Sequence, residues 1–391
     1  MAKFIPPKAT EAEALSITPD EGELIYDETG RVLRMGDGVT PGGNKLQGLG
    51  NVASPSANGL MSKEDKAKLD GISRDFFGDS PFLEFNNAGS ILLKSGTFFS
   101  VGVVKYSASD DIELDVADLL DTGTIQAGKD YCVYLTTDQQ FVVSLNSTFP
   151  SGTLSDGSTA FSAENTRKIG GFHTLCVDAG EIDGHPLSGF SSGDILPASV
   201  WCLNHRPYCE PAGMVYCSAL DFWVDIYLQS GTGEATESVF GGTITTTRSQ
   251  IDHTNDMLNV HKKLLADPEF TSASYGANQQ TVISGAVAPS TTGGHTDANG
   301  RRMISNIGIE DCCGVLWQWL RELAPANEAE TTPVANGKIY GAIYGMLAGG
   351  FFGDSDLISG SGARNTRNKV VLASNVSSAR GMSPNRTSTE G

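Results

Sequence analysis

Short apolar runs recur along the chain, separated by Gly, Asp, Asn and Ser rather than by long polar spacers. Leu24-Ile25-Tyr26 and Val32-Leu33-Arg34-Met35 flank Asp27-Glu28-Thr29-Gly30-Arg31, a pattern that predicts a tight hairpin. Asp37-Gly38 and Pro41-Gly42-Gly43 then punctuate the exit. From Phe76 to about His173 the runs are Phe82–Phe85, Ile91–Leu93, Phe98–Val104, Ile112–Val116, Tyr131–Leu135 and Phe141–Val143. Each has strand length and is bounded by turn residues, as in a sandwich or small barrel. No sustained helical period interrupts them, which excludes alternating βαβ units here.

Between these regions Asn51–Gly59 reads as a linker and Ser62–Gly71 as a short helix, with Ser62 as N-cap and Gly71 as its stop. Neither so short a helix nor a single hairpin is stable alone in water. Met61, Leu69 and Ile72 share one helix face, which suits either symmetry mates or a neighbouring domain. Further on, Phe222–Leu228 alternates as a strand, and Ser249 to Leu265 fits a helix with Ile251, Met257, Leu258 and Leu264 as its apolar positions. Residues 284–300 are a polar loop, Val315–Leu320 is apolar and aromatic, and Ser383–Gly391 reads as a frayed end. The expected divisions are 1–50, 51–75, 76–173 and 174–391.

Composition narrows the function. The 391 residues carry 27 Lys+Arg against 46 Asp+Glu, a formal charge of −19. That argues against nucleic acid or an anionic membrane as partner, since both require a basic face. No apolar run is long enough to insert in a bilayer, and the N-terminus lacks the apolar core of a signal peptide. The seven cysteines have no zinc-site spacing and are expected as reduced, mostly buried thiols. Gly189-Phe190-Ser191-Ser192-Gly193 matches a nucleophile elbow in letters, but prolines on both flanks favour a surface loop over the strand–turn–helix which that chemistry needs. The six histidines form no metal-binding pair, and no phosphate-binding loop is complete. The chain is therefore read as a non-enzyme without metal or cofactor.

The most informative stretch is 347–382. Gly349-Gly350, Gly360-Ser361-Gly362-Ala363-Arg364 and Ser378-Ala379-Arg380-Gly381 bracket polar and aromatic residues of little periodicity. These are Phe351, Phe352, Asp354, Ser355, Asp356, Asn365, Arg367, Asn368, Lys369, Ser374, Asn375 and Ser377. Glycines that fix tight backbone around such side chains describe either a scaffold presenting a binding surface or an irregular terminal loop.

Several segments resemble phage tail proteins. Arg34–Gly43 resembles the N-terminal module of tail-fibre and major-tropism-determinant proteins, and Asn58–Ile72 a short helix recurrent in tail fibres. Gly128–Leu135, Lys168–His173, Phe222–Leu228 and Gly314–Trp319 are similar to the major-tropism-determinant family, as are the C-terminal Gly and Arg anchors. The resemblance implies a mostly β chain with an α+β C-terminal domain. Its parts would be a β-prism shared among three chains, a β-sandwich, and a C-type-lectin-like domain of the formylglycine-generating-enzyme type. It further implies a homotrimeric receptor-binding protein at a virion tail tip, made in the bacterial host cytoplasm. Its N-terminal region would meet other tail or baseplate proteins, and its C-terminal domain a bacterial surface receptor, protein or glycan.

By position the family's receptor contacts fall on Phe351, Gly353, Asp354, Ser355 and Leu357, then on Arg367, Lys369, Leu372, Ser374, Val376 and Ser377. The spacing departs from the family's, being longer between Gly350 and Arg364 and shorter between Arg364 and Arg380. Asn, Arg, Lys and Ser replace the aromatics that can fill the family's second loop, which points to a more polar receptor. Two alternatives stand beside this reading: a structural tail or baseplate component, and an enzyme of the formylglycine-generating type. The enzyme would need reactive cysteines in a cleft, whereas adjacent Cys312-Cys313 suit a core.

Overall fold

The computed structural model describes residues 6–46, 80–325, 343–349, 360–368 and 377–387. The chain divides into two compact units, Met1–Arg74 and Asp75–Gly391. The linker and the helix expected at Ser62–Gly71 lie outside the described residues.

In the first unit β1 (Lys8–Ala9), β2 (Leu24–Asp27), β3 (Val32–Met35) and β4 (Asn44–Leu46) form one sheet in that order. The predicted hairpin is β2–β3, with Asp27 opposite Val32 and Leu24 opposite Met35. Asp27 Oδ1 accepts the Gly30 N–H at 2.8 Å and so closes the turn. Its other oxygen lies 3.1 Å from Arg34 Nε in a buried ion pair. A short helix, α1 (Glu11–Ala14), was not foreseen; Thr10 and Glu13 cap it reciprocally. Among the described residues of this unit, the buried apolar side chains are Ala14, Pro19 and Ile25. Leu15, Ile17, Met35 and Val39 are exposed, Val39 by 78%.

The second unit begins with β5 (Leu83–Asn87) and β6 (Ser90–Leu93), continues through the hairpin β7 (Phe98–Val101) and β8 (Val104–Ser107), and returns with β9 (Ile112–Asp115) beside β6. The single strand expected over Phe98–Val104 is thus two, because Gly102 takes φ 56° and Val103 is exposed at the turn tip. Next come β10 (Asp130–Thr136), β11 (Phe141–Ser144), β12 (Thr166–His173), β13 (Trp201–Cys202), β14 (His205–Pro207), β15 (Met214–Cys217) and β16 (Phe222–Asp225). With β17 (Lys263–Leu264) and a strand from the chain end, they make a nine-stranded sheet. The expected boundary at residue 173 falls at the end of β12, inside this sheet. Phe82, Leu83, Phe99, Val133 and Ile169 pack one core beside it. Val224, Ile226, Tyr227, Phe270, Ile304 and Leu320 belong to a second.

Four later strands form a separate sheet: β18 (Trp317–Pro325), β19 (Ile343–Gly349), β20 (Gly360–Asn368) and β21 (Ser377–Ser378). The last strand, β22 (Gly381–Thr387), corrects the expectation of a frayed end. Met382 pairs with Val224 of β16 on one side and with Lys263 of β17 on the other, and residues 385–387 pair with β14. Pro384 sits where one edge passes from β14 to β17, a place where the ladder is already interrupted.

Arg380, fully buried, fixes the entry to β22. Its Nη1 donates to the carbonyls of Asp225 at 2.7 Å and Ile226 at 2.5 Å, its Nη2 to Glu310 O at 2.6 Å, and its Nε to Gln318 Oε1 at 3.1 Å. Replacing it by an apolar chain strands those acceptors away from water. Arg380→Met is therefore expected to destabilise the second unit by about 3 kcal/mol or more, read as a fall in the urea midpoint.

Candidate functional site

The described parts of the stretch singled out by sequence supply the end of β19, all of β20 and β21, and the start of β22. Within the β18–β21 sheet β19 runs antiparallel to β18 and β20, and β21 lies parallel to β18, giving the order β20-β19-β18-β21. One side of β18 is apolar: Trp317 and Trp319 pack with Met257, Leu264, Leu347 and Ala379. Gln318, also buried, donates to the carbonyls of Asp311 and Cys312 at 3.2 and 2.9 Å while accepting from Arg380.

The Gly anchors have distinct causes. At Gly349 φ is 94°, and a Cβ would lie 2.4 Å from the Cys312 carbonyl oxygen. Gly314 N–H donates to its carbonyl at 2.9 Å, which ties β19 to the loop before β18. A Cβ on Gly381 would meet Asp225 Oδ2 at 2.6 Å and Met257 Sδ at 2.8 Å. The bare Gly381 N–H instead donates to that same oxygen at 2.8 Å, and Lys262 holds the other oxygen at 2.6 Å. Gly360–Arg364 spans a bulge: Arg364 is opposite Ala348, whereas Gly360 is opposite the very next residue, Gly349.

The predicted contact residues separate into three groups. Asn365, Arg367 and Asn368 lie on β20, at an outer position of the sheet, opposite Leu347, Gly345 and Tyr344 respectively. Phe351, Phe352, Asp354, Ser355, Asp356, Leu357, Lys369, Leu372, Ser374 and Asn375 lie outside the described residues. Ser377 corrects the expectation. It is fully buried on β21 opposite Trp317, with its hydroxyl unpaired, so it presents no side chain to a partner.

Behind the sheet lies the predicted helix, α2 (Gln250–Asn259), shorter than expected; of its expected apolar positions Met257 is buried, as is Leu264 beyond its end on β17. Ser249 and Asp252 cap it reciprocally. Ile251 and Leu258 are exposed, while Gln250, His253, Asp256 and Met257 are buried. Gln250 Nε2 donates to Leu320 O at 2.6 Å and Glu322 O at 3.1 Å, fastening the helix to β18. Gln229 links His253 Nδ1 at 2.6 Å to Asp256 at 2.9 Å, and Arg248 joins Asp256 at 2.9 Å. A following helix, α3 (Asp267–Ala273), places Phe270 in the core.

Chemistry elsewhere is muted. All seven cysteines are buried thiols. Burial pushes Cys132 and Cys209 up to about 11 and Cys202 and Cys312 up to about 12, which keeps them protonated and poorly nucleophilic. Ser191 sits in an exposed loop between Gly189 and Gly193, both at positive φ, with no strand leading into it. Among the described residues no group of His, Cys, Asp and Glu is arranged to hold a metal ion, and no helix is long and apolar enough to cross a membrane.

Residues 82–202 match the family model for the Mtd second domain. The solved structure of the major tropism determinant U1 variant aligns with a TM-score of 0.67 at 21% identity, covering 98% of this chain and all of the other. The M1 and P3c variants align at 0.66 with the same identity and coverage. This chain has the major-tropism-determinant fold. No protein with a curated description matches it. The likeness carries the C-type-lectin-like fold assigned to the C-terminal region, in a mostly β chain. The second-domain match begins near β5 and runs past β12 to the end of β13, beyond the sandwich boundary expected from sequence.

In this fold the brace behind β18 is sensitive to acid. Desolvation holds His253 neutral and lowers its pKa from 6.5 to about 4. Below pH 6.5 the unfolded chain takes up a proton that the folded one refuses, so stability falls as pH drops toward 4. His253→Gln is expected to remove about 3 kcal/mol of the stability lost between neutral pH and pH 4, measured as the difference in urea unfolding free energy between the two proteins.

Proposed function

We propose that this chain is a phage tail receptor-binding protein that recognises a bacterial surface receptor through the segments carried by β18–β21. The observation that carries this reading is the fold shared with the major tropism determinants over nearly the whole of both chains. The anchors add support: Gly349, Arg380 and Gly381 are fixed by close backbone approach and buried hydrogen bonds, a rigid frame for variable side chains. The contact set proposed is Phe351, Phe352, Asp354, Ser355, Asp356 and Leu357 with Asn365, Arg367, Asn368, Lys369, Leu372, Ser374 and Asn375. Ser377 is left out because it is buried. Buried thiols of raised pKa disfavour the enzyme alternative.

We further propose a homotrimer on the virion, its first unit joined to tail or baseplate proteins. That unit buries Ala14, Pro19 and Ile25 among its described apolar residues yet leaves Leu15, Ile17 and Met35 exposed, which favours a threefold neighbour that covers them. Three copies would also multiply modest single-site affinities.

Replacing residues 351–376 by an unrelated major tropism determinant's segment exchanges β20 and the stretches on either side of it while leaving β18, β19, β21 and β22 in place. It is expected to abolish adsorption to the present host while virions still assemble; lost assembly with retained binding would favour the structural-component reading instead. Changing Arg367 and Lys369 together to Asp is expected to weaken host-cell binding by about tenfold at unchanged thermal stability. Light scattering on a sizing column is expected to give about 124 kDa, three times 41.2 kDa; a monomer would contradict the shared first unit.

A further inference from the structure

In a chain of net charge −19, two arginines face each other without a carboxylate between them. Arg206 on β14 and Arg386 on β22 are direct cross-strand partners in an antiparallel pair. Side chains so placed lie within a few ångströms at their Cβ atoms, and like charges there repel. Neither has an ion pair among the described residues. Arg206 Nε is buried with no hydrogen-bond partner, although Glu210 contributes a more distant favourable charge. Tyr208, two residues along and half exposed, lies beneath Arg386, its ring centroid 6.0 Å from the guanidinium carbon. Burial and the charge of Arg386 both lower the pKa of Arg206, so the pair is electrostatically unfavourable when empty.

We propose that Arg206 and Arg386 form an oxyanion site that takes a phosphate group, with the Tyr208 ring as its wall. Guanidinium groups offer paired N–H donors matched to phosphate oxygens, and an anion between them turns repulsion into attraction. The surrounding negative charge rejects anions elsewhere, so the site selects a phosphate presented locally. A phosphorylated sugar of a cell-surface glycan and free inorganic phosphate share this chemistry. The site is carried by the nine-stranded sheet, and its presence does not depend on receptor contact at β18–β21.

The test uses the full chain with inorganic phosphate and with glucose 1-phosphate, against chloride at equal ionic strength. At a tenfold excess over Kd either phosphate is expected to raise Tm by about 2–4 °C. The rise should vanish in Arg386→Gln and in Arg206→Gln, and Arg386→Gln alone should unfold no earlier than the parent because the repulsion is gone. A Tyr208→Ala variant that weakens glucose 1-phosphate but spares inorganic phosphate would identify the glycan source; equal effects on both would identify the free anion. No rise above chloride, or the same rise in both Gln variants, would overturn the site.

Discussion

A single buried guanidinium sets the architecture of the second unit. Arg380 reaches the carbonyls of Asp225, Ile226 and Glu310 and the side chain of Gln318, so three separate parts of the chain are satisfied by one residue near its end. Arginine suits this place because its planar fork carries several donors, stays charged and needs no acceptor of its own. The next residue extends the clamp through Asp225 and Lys262, which themselves form a buried ion pair. With Arg380 seated, β22 enters between β14 and β17 on one edge and β16 on the other, and the large sheet is complete.

The same clamp separates what must be rigid from what is free to vary. Gln318 belongs to β18, so the sheet that carries the candidate receptor segments is tied through Arg380 to the central sheet. Gly349 is held against the Cys312 carbonyl and Gly381 against Asp225, Lys262 and Met257. A frame fixed at such points is what a binding surface open to substitution requires. Ser377, by contrast, lies within the clamp and is buried with the core.

The two units are stabilised by different means. The second buries large aromatic side chains, among them Trp223, Trp319, Tyr131 and Phe172. The described residues of the first carry a hairpin, a capped turn of helix and the Asp27–Arg34 pair, with little apolar burial among them. A small β unit of that kind gains most from association, since burial across copies supplies what its own chain length cannot.

Local order was legible in the sequence. The β2–β3 hairpin, most of the strands from Leu83 to Ser144, the start of α2 and the loop around Ser191 follow from alternation and turn residues within a few positions of one another. The glycine anchors of the candidate site were visible as well, although their cause was not. Tertiary structure alone decided the rest. Ser383–Thr387 has the composition of a loose end, yet partners about 160 residues away make it a central strand. The buried face of α2 mixes Met257 with Gln250, His253 and Asp256, whose polar groups Gln229 and the Leu320 and Glu322 carbonyls satisfy, so an apolar-stripe reading finds Met257 but misplaces Ile251 and Leu258. Arg206 and Arg386 stand apart in the sequence and meet only when β14 and β22 pair. Hydrophobic periodicity records which way a segment faces; the identity of its distant hydrogen-bonding and charged partners is fixed only by the closed fold.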